Sequence, residues 1–358
     1  MGKTIILTGG GTAGHVTPNL ALIPRLAADG WEIHYLGTDQ GIEQKLVASY
    51  PFVTFHPVKS GKLRRYKDLR NLTDPFRVIV GVNQSAKLMR QLKPNVVFSK
   101  GGFVSVPVTT GAKLAGVPTV LHESDYTPGL ANKLSMPFAK VICTTFPETA
   151  QALGEKAHYT GTPIRPELFT GDPARGRAFC SFDERLPVLL VMGGSQGARS
   201  INIALRANLD ALLTRFQIIH LCGKGWLEPG LENRAGYRQF EYISAELPDL
   251  LAACDFIVSR SGANSIFEFR ALKKPCLHIP LPLSASRGDQ ILNAKSFQAQ
   301  GFSRMLLQEG DDLDATAFLQ ALLDAWAQRE QMIAAMAADG FDGGPEPVLE
   351  QIYRTAKV

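Results

Sequence analysis

Twice in this sequence a strand-length apolar run ends in a cluster of glycines and gives way to a helical pattern. The first instance is Thr4-Ile5-Ile6-Leu7-Thr8-Gly9-Gly10-Gly11-Thr12-Ala13-Gly14-His15 and the second is Val188-Leu189-Leu190-Val191-Met192-Gly193-Gly194-Ser195-Gln196-Gly197-Ala198. Gly193 follows Gly9 by 184 positions, about half of the 358 residues. A strand that turns through glycines into a helix is the opening unit of a parallel α/β sheet, because the crossover helix must pack back on the sheet it came from. Two such openings predict two Rossmann-like domains, and a chain of this length is long enough to give each its own core. Loops at the carboxyl ends of the two first strands would then face each other across one cleft.

The rest of the chain repeats the alternation. Thr4 to Thr8, Glu32 to Gly37, Phe52 to Val58, Asn95 to Ser99, Pro118 to His122 and Lys140 to Thr144 read as strands separated by helical stretches. After a polar, proline-containing stretch from Pro163 to Pro187 a second series follows: Val188 to Met192, Gln217 to Cys222, Arg238 to Ile243, Phe256 to Ser259 and Pro275 to Ile279. The expected division is a first domain over 1–162, a second over 163–340, and a terminal segment, 341–358, whose helix Glu346 to Lys357 packs back on the first domain. No apolar run approaches the ~18 residues a spanning helix needs. The start Met1-Gly2-Lys3-Thr4-Ile5 reaches glycines too soon for a signal peptide, which predicts a cytosolic chain. Five cysteines with no C-x-x-C spacing predict reduced, buried thiols and no structural metal.

Charge is localised. Lys and Arg total 38 against 33 Asp and Glu, a net +5. The stretch Lys59 to Arg70 holds Lys59, Lys62, Arg64, Arg65, Lys67 and Arg70 against Asp68 alone, so it accounts for that surplus. One basic patch on an otherwise balanced chain points to an anionic surface or ligand near that loop and away from nucleic acid.

Gly9-x-Gly11-x-x-Gly14 fits the dinucleotide fingerprint, with Asp39 near the position of a ribose-binding acid, so an NAD-linked oxidoreductase is one reading. The physical content is more general: glycines and a helix N-terminus present backbone N–H groups to any diphosphate. The second half adds Ser259-Arg260-Ser261-Gly262-Ala263-Asn264-Ser265-Ile266-Phe267-Glu268 and Arg287-Gly288-Asp289-Gln290. Beside a phosphate-binding turn, Glu268 can accept from two ribose hydroxyls and the Gln290 amide can read a sugar hydroxyl. A two-Rossmann epimerase acting on UDP-N-acetylglucosamine would use similar contacts.

Taken with Gly101-Gly102-Phe103-Val104-Ser105, His122-Glu123-Ser124-Asp125, Pro128-Gly129-Leu130-Ala131-Asn132-Lys133, Gly161-Thr162-Pro163-Ile164-Arg165 and Asp289-Gln290-x-x-Asn293-Ala294, these motifs resemble the MurG family of bacterial N-acetylglucosaminyltransferases over nearly the whole chain. The resemblance implies the two-Rossmann GT-B architecture. It implies transfer of N-acetylglucosamine from UDP-N-acetylglucosamine to the 4-hydroxyl of undecaprenyl-diphospho-N-acetylmuramyl-pentapeptide, in peptidoglycan synthesis. It carries over Thr12, Ala13 and Gly14 as the loop facing sugar and diphosphate, Arg165 as the arginine after the interdomain proline, and Ser195 as the phosphate-binding serine. Ile243 would lie beside uracil, Ala263, Asn264, Ser265, Ile266, Phe267 and Glu268 would form the diphosphate and ribose helix, and Gln290 would read the sugar. Ala13 replaces a frequent glycine, and Asp125 stands where many members have a sugar-contacting asparagine.

An α-linked donor and a β-linked product need one in-line displacement. The segments expected at the cleft carry no Asp-x-Asp motif, so the expectation is metal-free, cofactor-free catalysis with the leaving diphosphate neutralised by backbone N–H groups, Ser195, Arg165 and helix dipoles. His15 is the candidate base, since its ordinary pKa lies near working pH, with Glu123 and Asp125 in reserve. A polyprenyl acceptor cannot leave the bilayer. In the helix expected after Pro75, Phe76 and Val80 fall opposite the Val78, Val82, Met89 and Leu92 face, directly after the basic stretch. The expectation is peripheral docking on the anionic cytoplasmic membrane face through Lys62, Arg64, Arg65, Phe76 and Val80, with other cell-wall synthesis proteins as further possible partners.

Overall fold

The computed structural model describes residues 2–61, 70–194 and 197–356. By its contacts the chain divides into two compact units, Met1–Arg165 with Gly343–Val358, and Pro166–Asp342. The first unit holds a seven-stranded sheet: β1 Lys3–Thr8, β2 Trp31–Gly37, β3 Thr54–Pro57, β4 Val96–Ser99, β5 Thr119–Glu123, β6 Val141–Thr144 and β7 Ala157–Tyr159. The second holds six strands: β8 Val188–Met192, β9 Gln217–Leu221, β10 Tyr237–Phe240, β11 Phe256–Ser259, β12 Cys276–His278 and β13 Ser303–Met305.

The orders are β3-β2-β1-β4-β5-β6-β7 and β10-β9-β8-β11-β12-β13. The pairings are parallel throughout, so both units are doubly wound α/β sheets. In each, the order reverses between the first strand and its later neighbour, β1 beside β4 and β8 beside β11. The central strands are apolar and buried because helices cover both faces; Ile5, Ile6 and Leu7 of β1 and Val188 to Val191 of β8 are fully buried. The first unit is closed by the helix Glu346–Thr355, whose Val348, Leu349 and Ile352 join the core of Ile5, Leu7, Tyr35 and Phe98.

Three local expectations need correction. The strand expected over Arg238 to Ile243 ends at Phe240, because Glu241 and Tyr242 are exposed, and Ile243 therefore lies on a loop. The strand expected from Phe52 begins only at Thr54. The helix expected after Pro75 already runs from Arg70 to Leu92 with Pro75 inside it. All five cysteines are buried free thiols. Among the described residues no helix is long and apolar enough to cross a membrane, and no group of three or more His, Cys, Asp or Glu could hold a metal ion.

Candidate functional site

In the first unit the loop 9–15 is built on a buried carboxylate. Glu43, fully buried on the helix Ile42–Val47, accepts from the Gly11 N–H at 3.2 Å, the Thr38 N–H at 2.9 Å and the Thr38 hydroxyl at 2.7 Å. A Cβ on Gly10 would lie 2.4 Å from its carboxylate, and Gly11 has a φ of 87°, so glycine is required at both positions. The loop after β4 packs on the same turn: a Cβ on Gly102, at φ 82°, would lie 2.2 Å from the Gly10 carbonyl.

His15 sits on the short 3₁₀ turn Ala13–His15, half-buried, with Nδ1 3.1 Å from the exposed Thr12 hydroxyl. Burial lowers its pKa to about 4, helped by the nearby Lys100 charge and opposed by a Gly10 backbone hydrogen bond and Glu43. The imidazole is therefore neutral at physiological pH. Ala13 and Gly14 are half-buried beside it.

Behind this loop lies a polar group not expected from the sequence. Lys100, 1% exposed, donates to His122 Nδ1 at 2.8 Å and to the Ser124 hydroxyl. Burial lowers its pKa to about 8, against the pull of Glu123, Asp125 and Cys143. Glu123 accepts from the Asp125 N–H at 3.0 Å, the Gly129 N–H at 3.0 Å and Asn132 Nδ2 at 2.8 Å, which makes it the anchor of the loop 124–129. Asp125 is half-buried on that loop. Asp39 pairs with Lys59 at 3.6 Å, both side chains being well exposed.

In the second unit three helix N-termini follow the carboxyl ends of β8, β11 and β12. The helices Arg199–Ala207, Ala263–Ala271 and Asp289–Ala299 are preceded by Ala198, Gly262 and Gly288, none of which caps its helix with a side chain. A helix N-terminus without a capping side chain is an arrangement that favours an anion. The glycine loop is tight: a Cβ on Gly197, at φ 78°, would lie 2.4 Å from the Cys222 carbonyl. On the helix Ala263–Ala271, Ile266 and Phe267 are core residues and Ala263 is buried, whereas Asn264, Ser265 and Glu268 are half-buried. The run therefore offers its polar residues and its backbone, not six side chains. Gln290 accepts from the Leu281 N–H at 3.1 Å, which orients its amide, while the Ser261 hydroxyl donates to the Gln290 carbonyl at 2.8 Å. Ile243 is half-buried, and Arg165 is half-buried at the end of the first unit. Ser195 lies outside the described residues.

Along the helix Arg70–Leu92, Phe76 is 72% exposed, Val80 48% and Ile79 58%. Ile79, three residues after Phe76, extends the expected pair on the same face of the helix. Met89 is buried and Val78, Val82 and Leu92 are half-buried. Lys62, Arg64 and Arg65 lie outside the described residues.

The arrangement has known counterparts. Residues 5–144 match the glycosyltransferase family 28 N-terminal domain and residues 188–343 match the family 28 C-terminal domain. The UDP-N-acetylglucosamine--N-acetylmuramyl-(pentapeptide) pyrophosphoryl-undecaprenol N-acetylglucosamine transferase of Geobacillus thermodenitrificans is 56% identical over 358 residues, covering all of both chains. The protein of the same name from Clostridium tetani is 50% identical over 360 residues, again with full coverage. A crystal structure of Acinetobacter baumannii MurG shares the fold with a TM-score of 0.77 at 24% identity, over 98% of this chain and 99% of that one. The calicheamicin glycosyltransferase CalG4 does so at 0.70 and 16% identity, over 99% of this chain and 98% of that one. With both domain signatures in order and full-length relatives at half identity or more, the chain belongs to glycosyltransferase family 28.

Proposed function

We propose that this chain moves N-acetylglucosamine from UDP-N-acetylglucosamine to the 4-hydroxyl of undecaprenyl-diphospho-N-acetylmuramyl-pentapeptide, converting lipid I to lipid II with inversion at the anomeric carbon. The observation that carries the reading is the 50–56% identity, end to end, to proteins named for that transfer. The two relatives described above are named neither as an oxidoreductase nor as an epimerase.

The residues divide by unit. In the second, the uncapped helix N-termini and Ser195 meet the diphosphate, Glu268 the ribose, Ile243 the uracil and Gln290 the sugar; Arg165, the last residue of the first unit before the second begins, adds positive charge to the leaving group. In the first, the loop 9–15 serves the acceptor. The acceptor oxygen bonds to the anomeric carbon as the bond from that carbon to the UDP oxygen breaks. His15 Nδ1, on the open side of its ring, takes the hydroxyl proton. Asp125 is the remaining acid on the acceptor side, and Glu123 holds its loop. The exposed Phe76, Ile79 and Val80, with the basic stretch before them, support docking on an anionic membrane surface from the cytoplasmic side.

Labelled UDP-N-acetylglucosamine with and without lipid-linked muramyl-pentapeptide tests the reaction: label should enter the lipid phase only when the acceptor is present. His15→Ala should lower turnover by ~10²–10⁴ with donor affinity nearly unchanged. Release of free sugar or an epimer without acceptor would defeat the reading, and near-normal turnover in His15→Ala would move the base elsewhere.

A further inference from the structure

Each unit places a basic side chain at the same topological place, the first residue beyond the strand that flanks its opening strand: Lys100, 1% exposed, in the first unit and the half-buried Arg260 in the second. Phe98-Ser99-Lys100-Gly101-Gly102 follows this course at the end of β4, and Val258-Ser259-Arg260-Ser261-Gly262 at the end of β11. Both bind uncharged acceptors. Arg260 donates to the Ile279 carbonyl at 2.9 Å, the Pro280 carbonyl at 3.1 Å, Gln308 Oε1 at 3.0 Å and the Ser200 hydroxyl at 3.0 Å. Lys100 donates to Ser124 and to His122, whose Nε2 lies 2.8 Å from the Gly161 carbonyl. A carbonyl only accepts, so Nε2 carries the proton of a neutral imidazole and Nδ1 offers its lone pair to the lysine. A buried charge with neutral contacts is screened little, and its field reaches the groups around it.

Lys100 is also the joint of three loops. Its N–H donates to the Thr8 carbonyl at 2.9 Å at the end of β1, its side chain ties down Ser124 after β5, and its own loop brings Gly102 against Gly10. A Cβ on Gly9 would lie 3.2 Å from the Lys100 Cβ, so the lysine stem forms the floor of the His15 loop.

We propose that Lys100 is a positioning residue for the transfer, a fixed buried cation that locks the loops after β1, β4 and β5 together and sets the electrostatic field in which His15 handles its proton. The proposal rests on the reading of His15 as base. His15 is influenced by Lys100 and, in the opposite direction, by Glu43 and the Gly10 backbone, with the neutral Thr12 hydroxyl on its open side. Lys100 in turn faces His122, Glu123, Asp125 and Cys143. The cation keeps the imidazole unprotonated between turnovers and favours release of the proton it has taken.

The test is an NMR titration of ring-labelled histidines in the full-length chain, in wild type, Lys100→Met and Lys100→Arg. Removing the charge in Lys100→Met should raise the His15 titration by on the order of one pH unit, the usual effect of a neighbouring charge. The acid limb of kcat should rise with it while KM for the UDP-sugar stays the same. Lys100→Arg should keep the wild-type value. In wild type, the His15 signals should show a second, smaller inflection near pH 8, where Lys100 loses its proton. An equal shift in Lys100→Arg would assign the effect to packing and overturn the proposal. So would an unmoved His15 in Lys100→Met. If Lys100→Met fails to fold, the wild-type inflection decides: its absence overturns the proposal. Normal turnover in His15→Ala would instead defeat the base reading and leave the titration result standing.

Discussion

Glu43 is the residue on which the first glycine loop depends, and nothing about its surroundings in the sequence marks it. It stands in the first turn of a short helix, where an acid is ordinary, and its partners Gly11 and Thr38 lie 32 and 5 residues away. The roles proposed for His15 and Glu268 start from the sequence, where each is a titratable side chain beside a glycine-rich turn. A buried carboxylate that only shapes backbone leaves no such trace. Lys100 and Arg260 were hidden differently, since a basic residue after a strand reads as surface until burial is known. Glu43→Ala would strand three donors, and thermal unfolding should show a loss of ~2–3 kcal/mol. Glu43→Gln should not restore all of it, because one end of an amide would face an N–H with another N–H. A stability equal to wild type in either variant would show that the loop does not need the carboxylate. Glu268→Ala should weaken UDP-sugar binding by ~1–3 kcal/mol, measured by calorimetry on the folded protein, and unchanged affinity would remove its ribose role.

Among the elements, the central strands were legible, the edge strands β3 and β10 were legible with displaced ends, and the other two edge strands were not. The strands β7, Ala157–Tyr159, and β13, Ser303–Met305, were missed because each has three residues at a sheet edge. His158 and Tyr159 are exposed, so β7 shows no apolar run to read. The helix Arg70–Leu92 was legible by its buried face, but its true outer face is wider than the sequence suggested: Phe76, Ile79 and Val80 sit at i, i+3 and i+4 and are exposed together. We propose that this cluster, which follows the basic stretch Lys59 to Arg70 in sequence, inserts into an anionic interface, each Lys or Arg adding ~1 kcal/mol. Phe76→Ser with Ile79→Ser should reduce co-sedimentation with anionic liposomes at least ~10-fold, since losing ~1.4 kcal/mol suffices for that factor, while UDP-sugar binding stays intact. Equal sedimentation of wild type with neutral vesicles would place the docking surface elsewhere.

At the scale of the whole molecule the two units are connected unequally. The second, Pro166–Asp342, is one uninterrupted stretch, whereas the first needs both ends of the chain. The return is stitched in by the Ile164 N–H, which donates to the Gly343 carbonyl at 2.8 Å, and the helix Glu346–Thr355 then covers the first sheet. Its Val348, Leu349 and Ile352 are at most 3% exposed, Tyr353 stacks on Trp31 with ring centres 5.6 Å apart, and the Tyr353 hydroxyl donates to Asp29 at 2.6 Å. Burying three such aliphatic side chains contributes roughly 5–9 kcal/mol at ~1.5–3 kcal/mol each. That is comparable with the ~5–15 kcal/mol total stability of a folded domain. A chain ending at Asp342 should therefore lose the first unit's unfolding transition in calorimetry while the second unit still melts cooperatively and binds UDP. Transfer activity should vanish with donor binding retained, a combination that a generally misfolded protein would not give. Two transitions at their wild-type temperatures in the truncated chain would show that the terminal helix covers the first unit without holding it together.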